Sequence, residues 1–424
     1  MTAATDTLRQ KWAATPVWAL IAAFGAYFCM YGFRKPFTAA GYTDWMLWGI
    51  GYKAVLVTSQ TLGYALSKWV GIKIISEIRP EQRAGRMLLM IGIAQLALLG
   101  FGLTPFPWNF AFLFLNGFPL GMVFGLVQGY LEGRRSAEAL IAGLCASFIL
   151  ADGVTKSVGA YLLKGGVTES WMPFTAGLVF ALPLLLFVWM LSQVPKPSAA
   201  DVAMRAERVP MDKAARRAFF RKYRPGLIAL SVAFLLVTIL RSIRADFAPE
   251  LWSALGFNGN PAIFTQSELY VMLGVTLLNG LSIFIVDNRR AFMASQYLSL
   301  LGFALILAAW WGLGVGMSGF WYMVLIGLGL YLPYVAVHTT VFERMIAMTR
   351  EKANIGFLMY TVDTIGYVGY MVLMLTRGSL KSSNVDFLAF YNALAIGASV
   401  ISIGATAFAV WYFSERDRGQ QAGG

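Results

Sequence analysis

The chain has 424 residues, 58% of them hydrophobic and only 13% charged, with a net charge of +13 and a mean hydropathy of +0.64. Soluble domains carry about 25% charged residues, so this composition excludes an ordinary soluble domain and describes a polytopic membrane protein. The two cysteines, Cys29 and Cys145, both fall in apolar stretches, which excludes a disulfide framework.

The N-terminus is polar, and the apolar run after it is long enough to span a bilayer, so no cleavable leader is expected. In chain order the apolar runs predict spans at 17–42, 51–72, 85–103, 108–131, 138–162 and 172–194. A polar, basic stretch follows, "PKPSAADVAMRAERVPMDKAARRAFFRKYRPG". The remaining spans are predicted at 226–250, 267–286, 292–314, 319–342, 353–376 and 386–413. The expected fold is all-α: twelve transmembrane helices in two pseudo-symmetric six-helix bundles. Residues 1–194 form the first bundle, 195–225 a cytoplasmic basic linker, and 226–424 the second bundle with a short cytoplasmic tail.

The basic residues orient this arrangement. With the N-terminus inside, 24 of the 34 Lys and Arg fall in cytoplasmic segments and only Lys53, Lys164, Arg377 and Lys381 fall outside. The positive-inside rule therefore puts both termini in the cytoplasm, and a bacterial inner membrane is the expected location. The same bias accounts for the net charge without nucleic acid. The linker could also meet anionic membrane lipid.

Six basic residues remain, all within or at the ends of spans: Arg34, Lys35, Lys68, Lys156, Arg241 and Arg244. A charge there costs about 2.5–3.5 kcal/mol on insertion scales and marks a cavity or substrate path. Lys35 and Arg244 lie nearer the outer ends of their helices, where snorkelling to the surface is the simpler expectation. Arg34 and Arg241 lie about 16–18 residues after the prolines that open their helices, Pro16 and Pro225, on the first helix of each half. A pseudo-two-fold axis along the membrane normal would bring them to opposite sides of one cavity. Two guanidiniums facing one cavity suit phosphate, because each planar fork offers parallel hydrogen bonds to two oxygens.

Three stretches carry a resemblance to the major facilitator superfamily, and within it to the organophosphate:phosphate antiporter branch. "YFCMYGFRKPF" resembles that branch's Tyr-x-x-x-Tyr-x-x-Arg-Lys pattern, "GYALSKWVG" its Tyr-Gly-x-Ser-Lys segment, and "LRSIRADFAPELW" its Leu-Arg-x-x-x-x-Asp-x-x-Pro segment. The resemblance implies a substrate site built from Tyr27, Tyr31, Arg34, Tyr64, Lys68 and Arg241, with Asp246 and Pro249 on the segment's acid and proline. It implies transport of a small phosphorylated or other anionic solute in exchange for phosphate, and the branch also includes receptors that sense without transporting. The sequence departs from the pattern in two places. The loop "GIKIISEIRPEQRAGR" is a degraded form of the superfamily's loop between helices two and three, and the branch's fifth-helix histidine is absent. The sole histidine is His338, for which a structural role is expected.

Asp152 and Lys156 stand at i, i+4 on one helix face. They read either as a neutralising ion pair or as a coupling carboxylate beside a further substrate-binding lysine. Asp363 has no base within a turn; it reads as a second coupling candidate that pairs across the cavity with Arg241 or Lys156 or takes up a proton, or else as a structural hydrogen bonder. Tyr331, Tyr334, Tyr360, Tyr367 and Tyr370 suit a wall that meets both apolar and anionic groups. Glu268 reads as a helix-start charge at the outer surface, and Asn116, Gln128 and Asn279 as helix-packing hydrogen bonders. No Walker motif, metal-ligand cluster or nucleophile–base set stands in the sequence, so no enzyme activity, metal or cofactor is expected. A monomeric carrier of a small anion is the reading, with a proton-coupled carrier of a carboxylate or lipid-like anion, or a non-transporting sensor, as alternatives.

Overall fold

A computed structural model describes residues 15–132, 134, 137–196, 213–281, 284–349, 355–379 and 386–422. Fourteen α-helices run through these residues. They are α1 (Pro16–Tyr31), α2 (Tyr52–Glu77), α3 (Arg83–Leu103), α4 (Phe110–Leu131), α5 (Ala137–Lys164), α6 (Met172–Ser192), α7 (Lys213–Asp246), α8 (Ala248–Ala254), α9 (Ala262–Leu281), α10 (Asn288–Gly314), α11 (Gly319–Ala336), α12 (Phe342–Thr349), α13 (Ile355–Ser379) and α14 (Phe387–Ala422). Eight helical segments among the described residues are long and apolar enough to cross a membrane, and two shorter apolar ones lie at Pro16–Tyr31 and Thr361–Thr376. The two other long helices, α2 and α9, are more polar, carrying Lys53, Gln60 and Lys68, and Gln266 and Glu268. The protein is thus an integral, multi-pass membrane protein.

Helices α1–α6 make one bundle, with α1 packed on α5 and α6, and α4 on α2 and α3. Helices α7, α9–α11, α13 and α14 make the other, with α7 on α13 and α14, and α11 on α9 and α10. The bundles meet chiefly along two seams, α2 with α13 and α5 with α9. At the second seam Gly153 lies so near α9 that a Cβ there would stand 2.4 Å from the Phe264 carbonyl oxygen. Only a residue without a side chain permits that approach.

Local chemistry sets the helix ends. Thr15 caps α1 by accepting a hydrogen bond from the Trp18 N–H, with Pro16 at the first helical position. The span predicted as one helix over 17–42 ends earlier, at Tyr31, and resumes as a 3₁₀ turn, Pro36–Ala39. Pro36 supplies no N–H to continue the helix, and its ring disfavours helical backbone at the residue before it. In the other half α7 ends at Asp246, Phe247 leaves the helical conformation, and α8 restarts with Pro249 in its first turn. Pro225 does not open α7 as expected; the helix already runs from Lys213 and takes Pro225 into its interior. Of the predicted linker, residues 197–212 lie outside the described residues.

Candidate functional site

The first helix break carries Arg34 and Lys35, while Arg241 and Arg244 lie in the last two turns of α7, just before the second. Beyond Tyr31 the chain winds tightly, with the Arg34 N–H donating to the Tyr31 carbonyl at 3.0 Å. The carbonyls freed by the break are met by side chains of the same bundle. Gln60 Nε2 donates to the Arg34 oxygen at 2.9 Å, and Asn116 Nδ2 to the Phe33 oxygen at 2.9 Å. Gln60 and Asn116 are themselves joined at 2.8 Å. Backbone inside a membrane must be satisfied from within the protein, and this amide pair does so without consuming either cation. Asn116 therefore belongs to the helix packing, as expected, while Gln60 was legible only as a polar residue in an apolar run.

Arg34 and Arg241 line one buried pocket between the bundles, together with Tyr31, Asp152, Asp246 and Tyr367. Lys35, Gln60, Thr61, Ser242, Tyr331 and Tyr370 complete its wall. Each arginine rests on tyrosine faces. The Arg34 guanidinium carbon lies 3.9 Å from the Tyr64 ring centre and 5.5 Å from Tyr31. That of Arg241 lies 4.3 Å from Tyr334 and 5.9 Å from Tyr331. Such stacking holds a guanidinium by its face and leaves its N–H edge for a ligand. Tyr27 sits behind this layer, edge-on to Tyr31 and to Phe124.

Seven cationic side chains are buried among the described residues: Arg34, Lys35, Lys53, Lys68, Lys156, Arg241 and Arg244. Five have a carboxylate. Lys35 pairs with Asp246, Lys68 with Asp363 and Lys156 with Asp152. Lys53 meets Glu250 at 2.6 Å, and Arg244 meets Glu268 at 2.6 Å. Arg34 and Arg241 have none, and the Nε of each is buried without a hydrogen-bond partner. Since a buried charge is ordinarily paired, these two are the exception that needs a reason.

Several expectations are corrected here. Lys35 and Arg244 do not snorkel; both are buried and ion-paired, because the opposite half supplies Asp246 to one and α9 supplies Glu268 to the other. Glu268 accordingly lies inside, not at the outer surface. Asp363 reaches neither Arg241 nor Lys156. It takes Lys68 across the α2–α13 seam and faces His338 Nε2 at 3.5 Å. That histidine lies in a π-helical turn, Val337–Val341, between α11 and α12. Its Nδ1 lies 2.8 Å from the Tyr334 carbonyl oxygen. This neighbour is invisible in the sequence, because positions 338 and 363 meet only through tertiary structure. Lys156 turns towards Asp152 and does not line the pocket. The side chain of Tyr360 lies outside the described residues.

Contacts between the halves lie towards both ends of α5, on either side of the pocket. Towards one end stand Lys35–Asp246, Lys53–Glu250 and the Ser157 hydroxyl, which lies 2.6 Å from the Pro261 oxygen and 2.7 Å from the Thr265 hydroxyl. Towards the other, Arg344 joins Glu138 at 2.9 Å and Asn288 at 2.9 Å.

Two six-helix bundles around one central pocket define the major facilitator fold, and solved structures agree. A D-xylose-proton symporter superposes with a TM-score of 0.58 at 13% identity, covering 91% of this chain and 96% of that one. The inward-open xylose transporter XylE from E. coli gives 0.58 at 12% identity, covering 91% and 94%. No curated protein matches the sequence. The chain belongs to a family of unknown function, DUF5690, whose model matches residues 36–416.

Proposed function

We propose that the protein is a secondary transporter that carries a small phosphorylated or other dianionic solute by rocking its two bundles around the central pocket. The observation that supports this reading is the pair of buried arginines, one from each half, that line one pocket and have no carboxylate. Arg34 and Arg241 grip the anion from opposite bundles, while Tyr31 and Tyr64 orient the Arg34 fork, Tyr331 and Tyr334 that of Arg241, and Tyr27 braces Tyr31. Lys68 and Lys156 add to the positive field but are each matched by their own acid. An anion gripped by both arginines draws two like-charged bundles together, which is how loading lowers the barrier to interconversion. Exchange against phosphate is the mode that fits a site of fixed charge. The carrier works as a monomer among membrane lipids, in a bacterial cytoplasmic membrane with both termini inside.

A second reading has its own observation. The His338–Asp363–Lys68 cluster joins the halves, and Asp363 at that joint is the coupling candidate. One of the fold neighbours is a proton symporter, and coupling at Asp363 would make this chain another, for a carboxylate or lipid-like anion. Flux in proteoliposomes separates the readings. Counterflow of labelled phosphate against a phosphomonoester supports the exchanger, and uptake that follows an imposed pH gradient without internal phosphate supports proton coupling. Saturable binding with no flux in either direction supports a sensor and defeats both.

A further inference from the structure

Between α1 and α2 the chain builds a small structure that the pocket does not use. Residues Met46–Leu47 (β1) and Ile50–Gly51 (β2) pair as an antiparallel hairpin, with Met46 opposite Gly51 and Leu47 opposite Ile50. Its two-residue loop is Trp48–Gly49, with φ of 55° and 76°. Hairpin turns of this hand favour Asn or Gly at the first place, because a residue with a bulky side chain rarely holds positive φ. Tyr42 is the other such residue among those described, and its side chain is accounted for: the ring is buried against Tyr52 and Phe101, and the hydroxyl donates to the Glu169 carbonyl at 3.2 Å. Trp48 is different. It is 74% exposed, and its ring contact among the described residues is with Phe110, at 5.9 Å.

The hairpin is seated firmly on its own bundle. The Tyr52 N–H donates to the Trp45 carbonyl at 3.1 Å, and the Tyr52 hydroxyl donates to Asn109 Oδ1. The Trp45 ring lies 4.4 Å from that of Phe106, and Ile50 is buried, with β2 touching α13 as well as α2. What it turns outward is apolar. Trp45, Met46 and Trp48 are exposed, as is Trp108 on the loop beside them.

Helix α2 fixes its height in the membrane. Leu62, Leu66, Val70 and Ile74 are exposed at intervals of four, which is the face a spanning helix turns to lipid. That face continues through the partly exposed Thr58 and Ala54 to Gly51, the last residue of the hairpin. From Ile74 to Tyr52 the helix rises about 33 Å, against a hydrocarbon core of about 30 Å. The hairpin therefore stands where acyl chains give way to headgroups, on the membrane face opposite the linker. Trp171, Trp311 and Trp321 are exposed beside the turns on that same face. An indole suits this level, its ring among acyl carbons and its N–H among headgroup oxygens. We propose that the Met46–Gly51 hairpin is a lipid-binding anchor, in which Trp48, flanked by Trp45, Met46 and Trp108, beds in the headgroup–acyl boundary of the leaflet opposite the linker. Binding of the indole there offsets the unfavourable turn that presents it. The anchor is independent of the solute and serves a carrier and a sensor alike.

The test reads the depth of this one side chain. The full chain, labelled with fluorotryptophan, is reconstituted in phosphatidylcholine nanodiscs. The fluorine resonance of Trp48 is the one lost in Trp48→Asn, a residue that the turn accepts. Should that variant not fold, Trp48→Phe supplies the same assignment. A nitroxide carried on the lipid headgroup, or near the top of the acyl chain, should broaden the Trp48 resonance severalfold more than a water-soluble nickel chelate does. A nitroxide at the far end of the acyl chain should broaden it less than either lipid label. Broadening chiefly by the chelate places the indole in water and overturns the anchor. Broadening by none of these probes places it against protein, in this chain or a second copy, and overturns it equally.

Discussion

At the scale of single residues, the pocket turns on the difference between a cation with a partner and a cation without one. Arg34→Lys and Arg241→Lys keep the charge but lose the fork, so each should weaken binding of a phosphomonoester by about 1–3 kcal/mol in a titration of the purified protein. Tyr31→Phe, which removes one neutral hydroxyl, should cost less. Lys35 behaves differently from its neighbour. Its substitution by Ala strands Asp246 in a buried site with only Tyr370 to donate. A loss of about 3–5 kcal/mol is expected, read as a lowered thermal midpoint in detergent. The double variant Lys35→Ala/Asp246→Ala should recover most of it; a single and a double variant of equal stability would show that the pair contributes nothing. Arg34 and Arg241 stood out in the sequence because an intramembrane arginine is costly wherever it falls. The partners of Lys35, Asp363 and Arg244 did not, because each belongs to an element distant in sequence.

At the scale of elements, the two halves share a device: a helix that stops and restarts beside the pocket. A long hydropathy window passes over it, because the apolar helix before it and the apolar residues around Arg34 and Lys35 read together as the single span predicted there. Pro36 and Pro249 were visible; what was not visible is that Gln60 and Asn116 stand ready to take the carbonyls a break sets free. Replacing Asn116 by Leu removes donors to both Phe33 and Ala94. Stability should drop by about 1–3 kcal/mol per orphaned group, measurable by thermal or denaturant unfolding, whereas a loss under 0.5 kcal/mol would mean that the break is held by other contacts. The α5–α9 seam offers a sterically simple test. Gly153→Val brings a Cβ against the Phe264 carbonyl, and backbone cannot swing aside as a side chain would. The variant should fold with its bundles held apart on that seam and lose flux more than it loses thermal stability.

For the whole molecule, the contacts between the halves towards both ends of α5 are the feature to test. With Cys29 and Cys145 replaced, both being buried thiols, a Ser157→Cys/Thr265→Cys pair should cross-link readily and arrest flux, with recovery on reduction. A Glu138→Cys/Arg344→Cys pair should do the same from the other end. Rapid cross-linking of the first pair alone would identify a protein that rests open towards the second. The all-helical, multi-pass plan was legible, because span length is carried by composition over long windows. The contacts between the halves were not, since Ser157, Thr265, Glu138 and Arg344 are unremarkable in sequence and acquire meaning only across the seams. The unmatched arginines also have an electrical consequence. Guanidiniums keep their charge at any physiological pH, so the empty pocket carries its surplus permanently. Moving one charge through the full membrane field takes about 2.3 kcal/mol per 100 mV, and rocking an empty carrier would move part of two. A bound dianion cancels that work. The voltage across the membrane therefore acts on the unloaded molecule and spares the loaded one, so currents recorded from oriented membranes should arise from the empty return stroke and vanish when solute is saturating on both sides.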